Sequence, residues 1–273
     1  MSDADKIKVT ILPTGAMHAD LTWLLIAPSK MLSRSGGTEV KRDWVELPTH
    51  VVYIEHPNGQ KMLWDAGVPR DWEQRWAPPG FNDFFPIDTV TEDQWLDSRL
   101  KQLEIEPGDL DYLVLSHLHL DHAANAQLWA GTDTKIIVDE KEKKGALSFD
   151  GYNLGAHIKG DYDGLPLDTI GADTEIMPGV TILQTPGHTW GTLALKVDLA
   201  DEGTMIFASD SLYRSESYGP PAVAAGIVYD TVAWFASVDK IRTIAEATNA
   251  TVVFGHDPEQ IKTLKTGVGN SYT

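Results

Sequence analysis

The chain contains no cysteine. Disulfides, a thiol nucleophile and thiolate metal ligands are therefore excluded, and any metal site must use His, Asp or Glu. Basic residues are also scarce: 22 Lys and Arg stand against 40 Asp and Glu, a formal net charge of −18. That balance opposes binding to nucleic acid or to an anionic membrane surface, where affinity comes from Lys and Arg. Its plain reading is solubility. No apolar run approaches the roughly 20 residues that span a bilayer. The stretch Met1 to Lys6 is polar and acidic, without the basic start and apolar core of a secretory signal. A soluble, cytoplasmic protein is expected, acting on a small molecule. At 273 residues and 42% hydrophobic content, the chain is long enough to bury a sizeable core.

What the chain does have is Ser116-His117-Leu118-His119-Leu120-Asp121-His122, directly after the apolar run Tyr112 to Leu115. Imidazole and carboxylate bind borderline transition metals well. Side chains two apart on an extended segment point to the same side, so His117 and His119 can grip one ion. Asp121 and His122 follow where the chain turns, and can address a second. A lone His-x-His is weak information, whereas four ligand-type residues in this order are not.

The rest reads as alternating strands and helices. Ile7 to Leu12 is rich in β-branched residues and predicts a strand. Val51 to Glu55 and Lys61 to Trp64 flank His56-Pro57-Asn58-Gly59, a hairpin turn. Thr91 to Leu103 has helical spacing with an acidic first turn. Strands are predicted at Tyr112 to Leu115, Lys135 to Val138, Val180 to Gln184, Thr192 to Val197, Met205 to Phe207 and Thr251 to Phe254. The charged run Asp139 to Lys144 opens a helix, and Thr231 to Ala247 is helical by its apolar intervals. Two stretches, about 71–88 and 149–168, read as insertions on a single domain covering residues 1–273. Trp23, Trp44, Trp76 and Trp190 are candidates to line a pocket, although core packing is the ordinary role of a tryptophan.

Three more ligand-type residues sit where a predicted strand gives way to a loop: His188 in Thr185-Pro186-Gly187-His188, Asp210 in Phe207-Ala208-Ser209-Asp210, and His256 in Phe254-Gly255-His256-Asp257. Any one of them could simply cap a turn. Repeated placement at strand ends, which converge along a sheet edge, sets them apart. His18, His50, His56 and His157 lack that context and read as ordinary polar residues.

In this order the motifs resemble the metallo-β-lactamase superfamily over about residues 7–260, and within it the N-acyl homoserine lactonases. Leu63-Trp64-Asp65-Ala66-Gly67 is similar to the family's Asp-x-Gly element, with Asp65 supporting rather than ligating. Asp210-Ser211-Leu212-Tyr213 is the most discriminating likeness. The resemblance implies an α/β fold, an αββα sandwich with metals at one edge between two mixed sheets. It implies one divalent ion on His117, His119 and His188, a second on Asp121, His122 and His256, and Asp210 bridging them. Zinc suits an all-N/O donor set, and iron, cobalt or manganese fit the same residues. It also implies a hydrolase of carboxylic esters, opening a lactone by attack of a hydroxide shared by the ions. Tyr213 would donate to the developing oxyanion and Asp121 would pass a proton to the leaving oxygen. Such an enzyme quenches quorum signals, and a homodimer is a further expectation. The rival readings are an ester or thioester hydrolase of the glyoxalase II type and a non-catalytic metal-binding protein. Leu120 stands where relatives often carry an aromatic, Trp190 is unusual beside the Pro-Gly-His step, and Ala123-Ala124-Asn125 replaces a Gly-rich continuation. These departures spare the ligands and bear on which substrate fits.

Overall fold

A computed structural model describes residues 6–26, 43–153 and 155–273. The terminal reading at Met1 to Lys6 thus lies almost wholly outside the described residues. The strands are β1 (Lys8–Asp20), β2 (Trp44–Glu55), β3 (Lys61–Trp64), β4 (Tyr112–Val114), β5 (Lys135–Asp139), β6 (Leu167–Ile170), β7 (Thr174–Met177), β8 (Val180–Gln184), β9 (Leu193–Leu199), β10 (Gly203–Phe207) and β11 (Thr251–Val253). The α-helices are α1 (Trp72–Arg75), α2 (Phe81–Phe84), α3 (Leu96–Gln102), α4 (Glu140–Ala146), α5 (Ser215–Tyr218) and α6 (Thr231–Thr248).

One sheet has the order β1-β2-β3-β4-β5-β6 and the other β11-β10-β9-β8-β7. Both are mixed. β1 to β3 pair antiparallel and β3 to β6 parallel, whereas β10 and β11 are the parallel pair of a sheet otherwise antiparallel.

Period-two alternation decides which residues face which layer. On β2, Val52 and Ile54 point into the core between the sheets, and Val51 and Tyr53 point to the outer core. On β4, Val114 faces inward while Leu113 meets the outer core beside Leu96 and Leu100 of α3. In the second sheet Ile182, Leu195, Val197 and Phe207 fill the intersheet core. Leu183, Ala194 and Ile206 turn outward onto Trp234, Val238 and Ile241 of α6. Each such side chain, fully buried, contributes about 1.5–3 kcal/mol. The layering is therefore helix, sheet, sheet, helix, as expected.

Several boundaries differ from expectation. β1 runs on to Asp20 across an irregularity between Pro13 and Ala16, and its partner β2 begins at Trp44. The helix expected over Thr91 to Leu103 breaks at Trp95, whose ψ of 144° is extended. A short 3-10 turn precedes the break, capped reciprocally by Thr91 and Gln94. α4 starts where Asp139 accepts from the backbone N–H of Lys141 and Glu142. Short strands β6 and β7, at the sheet edges, have no strand signal in the sequence. The stretch 71–88 folds into α1 and α2, and Phe81 and Phe85 from it join Ala156 and Ile158 from the second insertion in one apolar cluster. No helix among the described residues is long and apolar enough to cross a membrane.

Candidate metal centre

The candidate ligands lie at the C-terminal ends of strands in both sheets. His117, His119, Asp121 and His122 follow β4, His188 follows β8, Asp210 follows β10 and His256 follows β11. All seven are buried. Their donor atoms gather into two groups, His117 with His119, His188 and Asp210, and Asp121 with His122 and His256, each within 4.8 Å. Every residue expected at the site from sequence is thus brought there.

Asp210 faces both groups. Its Oδ2 is 3.2 Å from His188 Nε2 and 3.6 Å from His117 Nε2. Its Oδ1 is 3.0 Å from His256 Nε2 and 3.1 Å from His122 Nε2. His188 Nε2 also lies 3.0 Å from His119 Nδ1 and 3.2 Å from His117 Nε2.

Four of the five candidate histidines have an anchored outer nitrogen. Asp65, at the end of β3, accepts from the Ser116 N–H at 2.7 Å and the Ser116 hydroxyl at 2.9 Å. With that hydroxyl committed, Ser116 Oγ is left to accept from His117 Nδ1 at 3.1 Å. Asp65 Oδ2 also takes His122 Nδ1 at 2.8 Å. The carbonyls of Ile227 and Pro48 hold His188 Nδ1 and His256 Nδ1, each at 3.0 Å. Asp65 is therefore a support, as expected.

Backbone geometry at the site is costly. Asp65 (φ 64°), Ser209 (φ 47°) and Ala156 (φ 73°) hold left-handed conformations that non-glycine residues avoid. Gly187, with φ 132°, precedes His188, and a Cβ there would stand 2.4 Å from the Trp234 backbone. Only glycine permits that approach.

The charge pattern fits cations. Burial first, then the neighbouring imidazoles, push His117 and His119 well below the ordinary histidine value, so both are neutral, the form that ligates. Burial also opposes charge on His122, yet Asp121, Asp210 and Asp65 together hold it well above that value. Burial works against Asp210 too, but His122, His256 and His188 keep it well below the carboxylate range. Asp65, Asp121 and Asp210 have no Lys or Arg ion-pair partner among the described residues. His119 Nε2 is buried with no hydrogen-bond partner. Asp121 and Asp210, buried carboxylates ion-paired only with imidazoles among the described residues, belong to a donor set suited to two divalent ions.

The site opens onto a pocket. Asp121, Asp210, Tyr213 and His256 form its polar floor, and Met17, Trp23, Leu24, Leu47, Phe85, Leu120 and Ile227 its apolar walls. Burial, then the charges of Asp210 and Asp121, hold the Tyr213 hydroxyl well above its ordinary value, so it stays protonated. Of the four tryptophans considered, Trp23 lines this pocket, Trp76 is buried in the cluster behind it and Trp44 is exposed. Trp190 lines a separate groove with Tyr229.

Two residues at the site escaped sequence reasoning. His157, read as ordinary, is fully buried with its ring 4.4 Å from that of His119. Glu142, inside a charged run that reads as a solvated helix face, is fully buried beside it.

Two facing sheets with histidines and aspartates gathered at their strand ends define a metal-dependent hydrolase of the αββα class. The chain belongs to the metallo-beta-lactamase superfamily, whose family model matches residues 44–256. It is 36% identical over 275 residues to the N-acyl homoserine lactonase AiiB of Rhizobium rhizogenes strain K84, across 94% of this chain and 96% of that protein. It is 31% identical to the N-acyl homoserine lactonase AiiA of Bacillus thuringiensis subsp. kurstaki, across 81% and 86%. Among solved structures, an N-acyl homoserine lactone hydrolase with N-hexanoyl-L-homoserine bound at its catalytic metal center matches with a TM-score of 0.81. It is 25% identical, with 97% of this chain and 98% of that one covered.

Proposed function

We propose that the protein opens the ester bond of a lactone ring, with N-acyl homoserine lactones as its substrate class. It would use one divalent ion on His117, His119 and His188 and another on Asp121, His122 and His256, with Asp210 between them. One observation carries the reading: Asp210 turns one carboxylate oxygen to each ligand group, and both groups face a pocket that is polar at the floor and apolar at the walls. An N-acylated lactone has the same division, a polar ring and an apolar chain. Among the described residues no Lys or Arg lines the pocket, which leaves those walls without a cationic cradle for an anionic thioester.

Zinc matches the donor set best, and iron, cobalt or manganese suit it chemically. When bound, the ions supply Lewis acidity and activated water near neutral pH. The residues do the rest. Tyr213, protonated and facing the pocket, donates to the carbonyl oxygen as negative charge builds on it. Asp121 lines the same floor and would take up the proton released by the attacking water and pass it to the ring oxygen as the ester bond breaks. The apolar walls hold the acyl chain and exclude water from it. We also read residues 1–273 as one cytoplasmic domain. In support, both insertions, at about 71–88 and 149–168, feed the apolar cluster behind the pocket.

Ring opening liberates an acid, so proton release reads it directly. Metal-loaded protein is mixed with lactones of varied ring size and acyl length, beside a His119→Ala control. Opening of acylated homoserine lactones, lost in the control, is expected. Thioester hydrolysis without any lactone opening would overturn the assignment.

A further inference from the structure

We propose that Glu142 and His157 are positioning residues that support the first ligand group alone: they orient His119 and lock the loop carrying His117 and His119 to the loop carrying His188. The inference rests on the two-ion reading above.

The starting point is an exception. Four of the five candidate histidine ligands have an oxygen on the outer nitrogen: Ser116 Oγ for His117, Asp65 for His122, and backbone carbonyls for His188 and His256. Metal-bound histidines generally need such a partner to fix ring orientation. His119 has none. Its Nδ1 points inward to His188, and its Nε2 is buried without a hydrogen bond. What it has is a second ring. His157 lies edge to face with it, centroids 4.4 Å apart and planes at 80°. The backbones of these two residues also pair in an isolated antiparallel bridge.

His157 is held in turn. Its Nε2 is 2.9 Å from Glu142 Oε1, and its Nδ1 is 3.3 Å from the Tyr229 hydroxyl. Glu142 then reaches both ligand loops. Its Oε1 accepts from the backbone N–H of Leu118, between His117 and His119, at 3.0 Å. Its Oε2 accepts from the N–H of Gly191, three residues after His188, at 3.2 Å. No Lys or Arg pairs with it among the described residues. A buried carboxylate that served the core in general would have partners elsewhere. All of these lie on the ligand loops or on the ring packed against His119. The second group has different supports, Asp65 and the Pro48 carbonyl. The dependence is therefore one-sided.

Glu142→Gln puts an amide where two N–H groups need acceptors. His157→Phe keeps a ring against His119 but cuts its tie to Glu142. The test titrates zinc into metal-free parent and both variants in competition with a chromophoric chelator. Anomalous scattering at the zinc edge then shows which position is filled. Two equivalents in the parent establish the reading on which the inference rests, separately from the variants. Both variants are expected to bind one equivalent about 10- to 100-fold more weakly. The other equivalent is retained, and the depleted position is the one at His117, His119 and His188. Unchanged titration in both variants, or equal weakening of both equivalents, overturns the proposal. Should Glu142→Gln fail to fold, His157→Phe decides alone by the same outcomes.

Discussion

Asp65 Oδ2 lies 2.8 Å from His122 Nδ1, and the same carboxylate accepts both the N–H and the hydroxyl of Ser116. Three donors converge on one buried acid that never reaches the pocket-facing side of the ring. Asp65→Asn offers an amide where His122 needs an acceptor. It should weaken metal at the second group by about 10- to 100-fold and at the first group less, since Asp65 reaches His117 only through Ser116. Chelator competition on the folded variant checks this. Equal loss at both positions would contradict it.

Tyr213→Phe removes one hydroxyl from the pocket floor and little else. Turnover on lactone should fall about 10- to 100-fold, because the developing oxyanion loses a donor while the ions remain. Metal content should match the parent. Steady-state kinetics beside elemental analysis tests both halves, and an unaltered turnover number removes Tyr213 from the chemistry.

Gly187→Ala should be costly without touching a ligand. The new Cβ would stand 2.4 Å from the Trp234 backbone at a φ that alanine avoids. A loss of about 2 kcal/mol or more is expected. Urea unfolding of the two proteins measures it, and equal midpoints with equal slopes would refute the steric account.

Asp161 predicts a pH effect. Its side chain is buried, and burial, offset in part by Arg75 at 3.2 Å, raises its pKa from 3.8 to about 7. Between those values the folded chain keeps a proton that the unfolded chain has released, so stability falls as pH rises. The full penalty is present above about 7 and absent below about 4. Asp161→Asn cannot ionise. Its stability relative to the parent should grow by about 1.4 kcal/mol per pH unit across that window and then level off. Urea unfolding at pH 5, 6, 7 and 8.5 would expose a flat difference, the outcome that rejects this account.

The seven candidate ligands are legible in the sequence because each is a His or Asp at or just beyond a strand end, and strand ends show as apolar runs that stop. The supports could not. Glu142 sits in Asp139 to Lys144, where charge suggests a solvated face, and only the packing of α4 against both ligand loops buries it. His157 lies in a glycine-rich insertion with no periodicity to place it. From its middle onward β1 carries Pro13, Gly15 and Asp20, residues that argue against a strand. Pairing with β2 over Ala16 to Asp20 overrides them. Trp95 has the apolar spacing of a helix yet breaks one, because spacing reports a face and says nothing of ψ.

Leu120 apart, the pocket's apolar walls come from other stretches of chain than most of its chemistry. Met17, Trp23 and Leu24 belong to the second β1 segment and the turn after it, Leu47 to β2, Phe85 to one insertion and Ile227 to the loop before α6. Most of the donor atoms sit at strand ends pinned by the intersheet core. Taste and teeth are thus inherited separately: a lineage can drift toward longer, shorter or bulkier guests by rewriting those outer stretches while its cutting edge stays untouched.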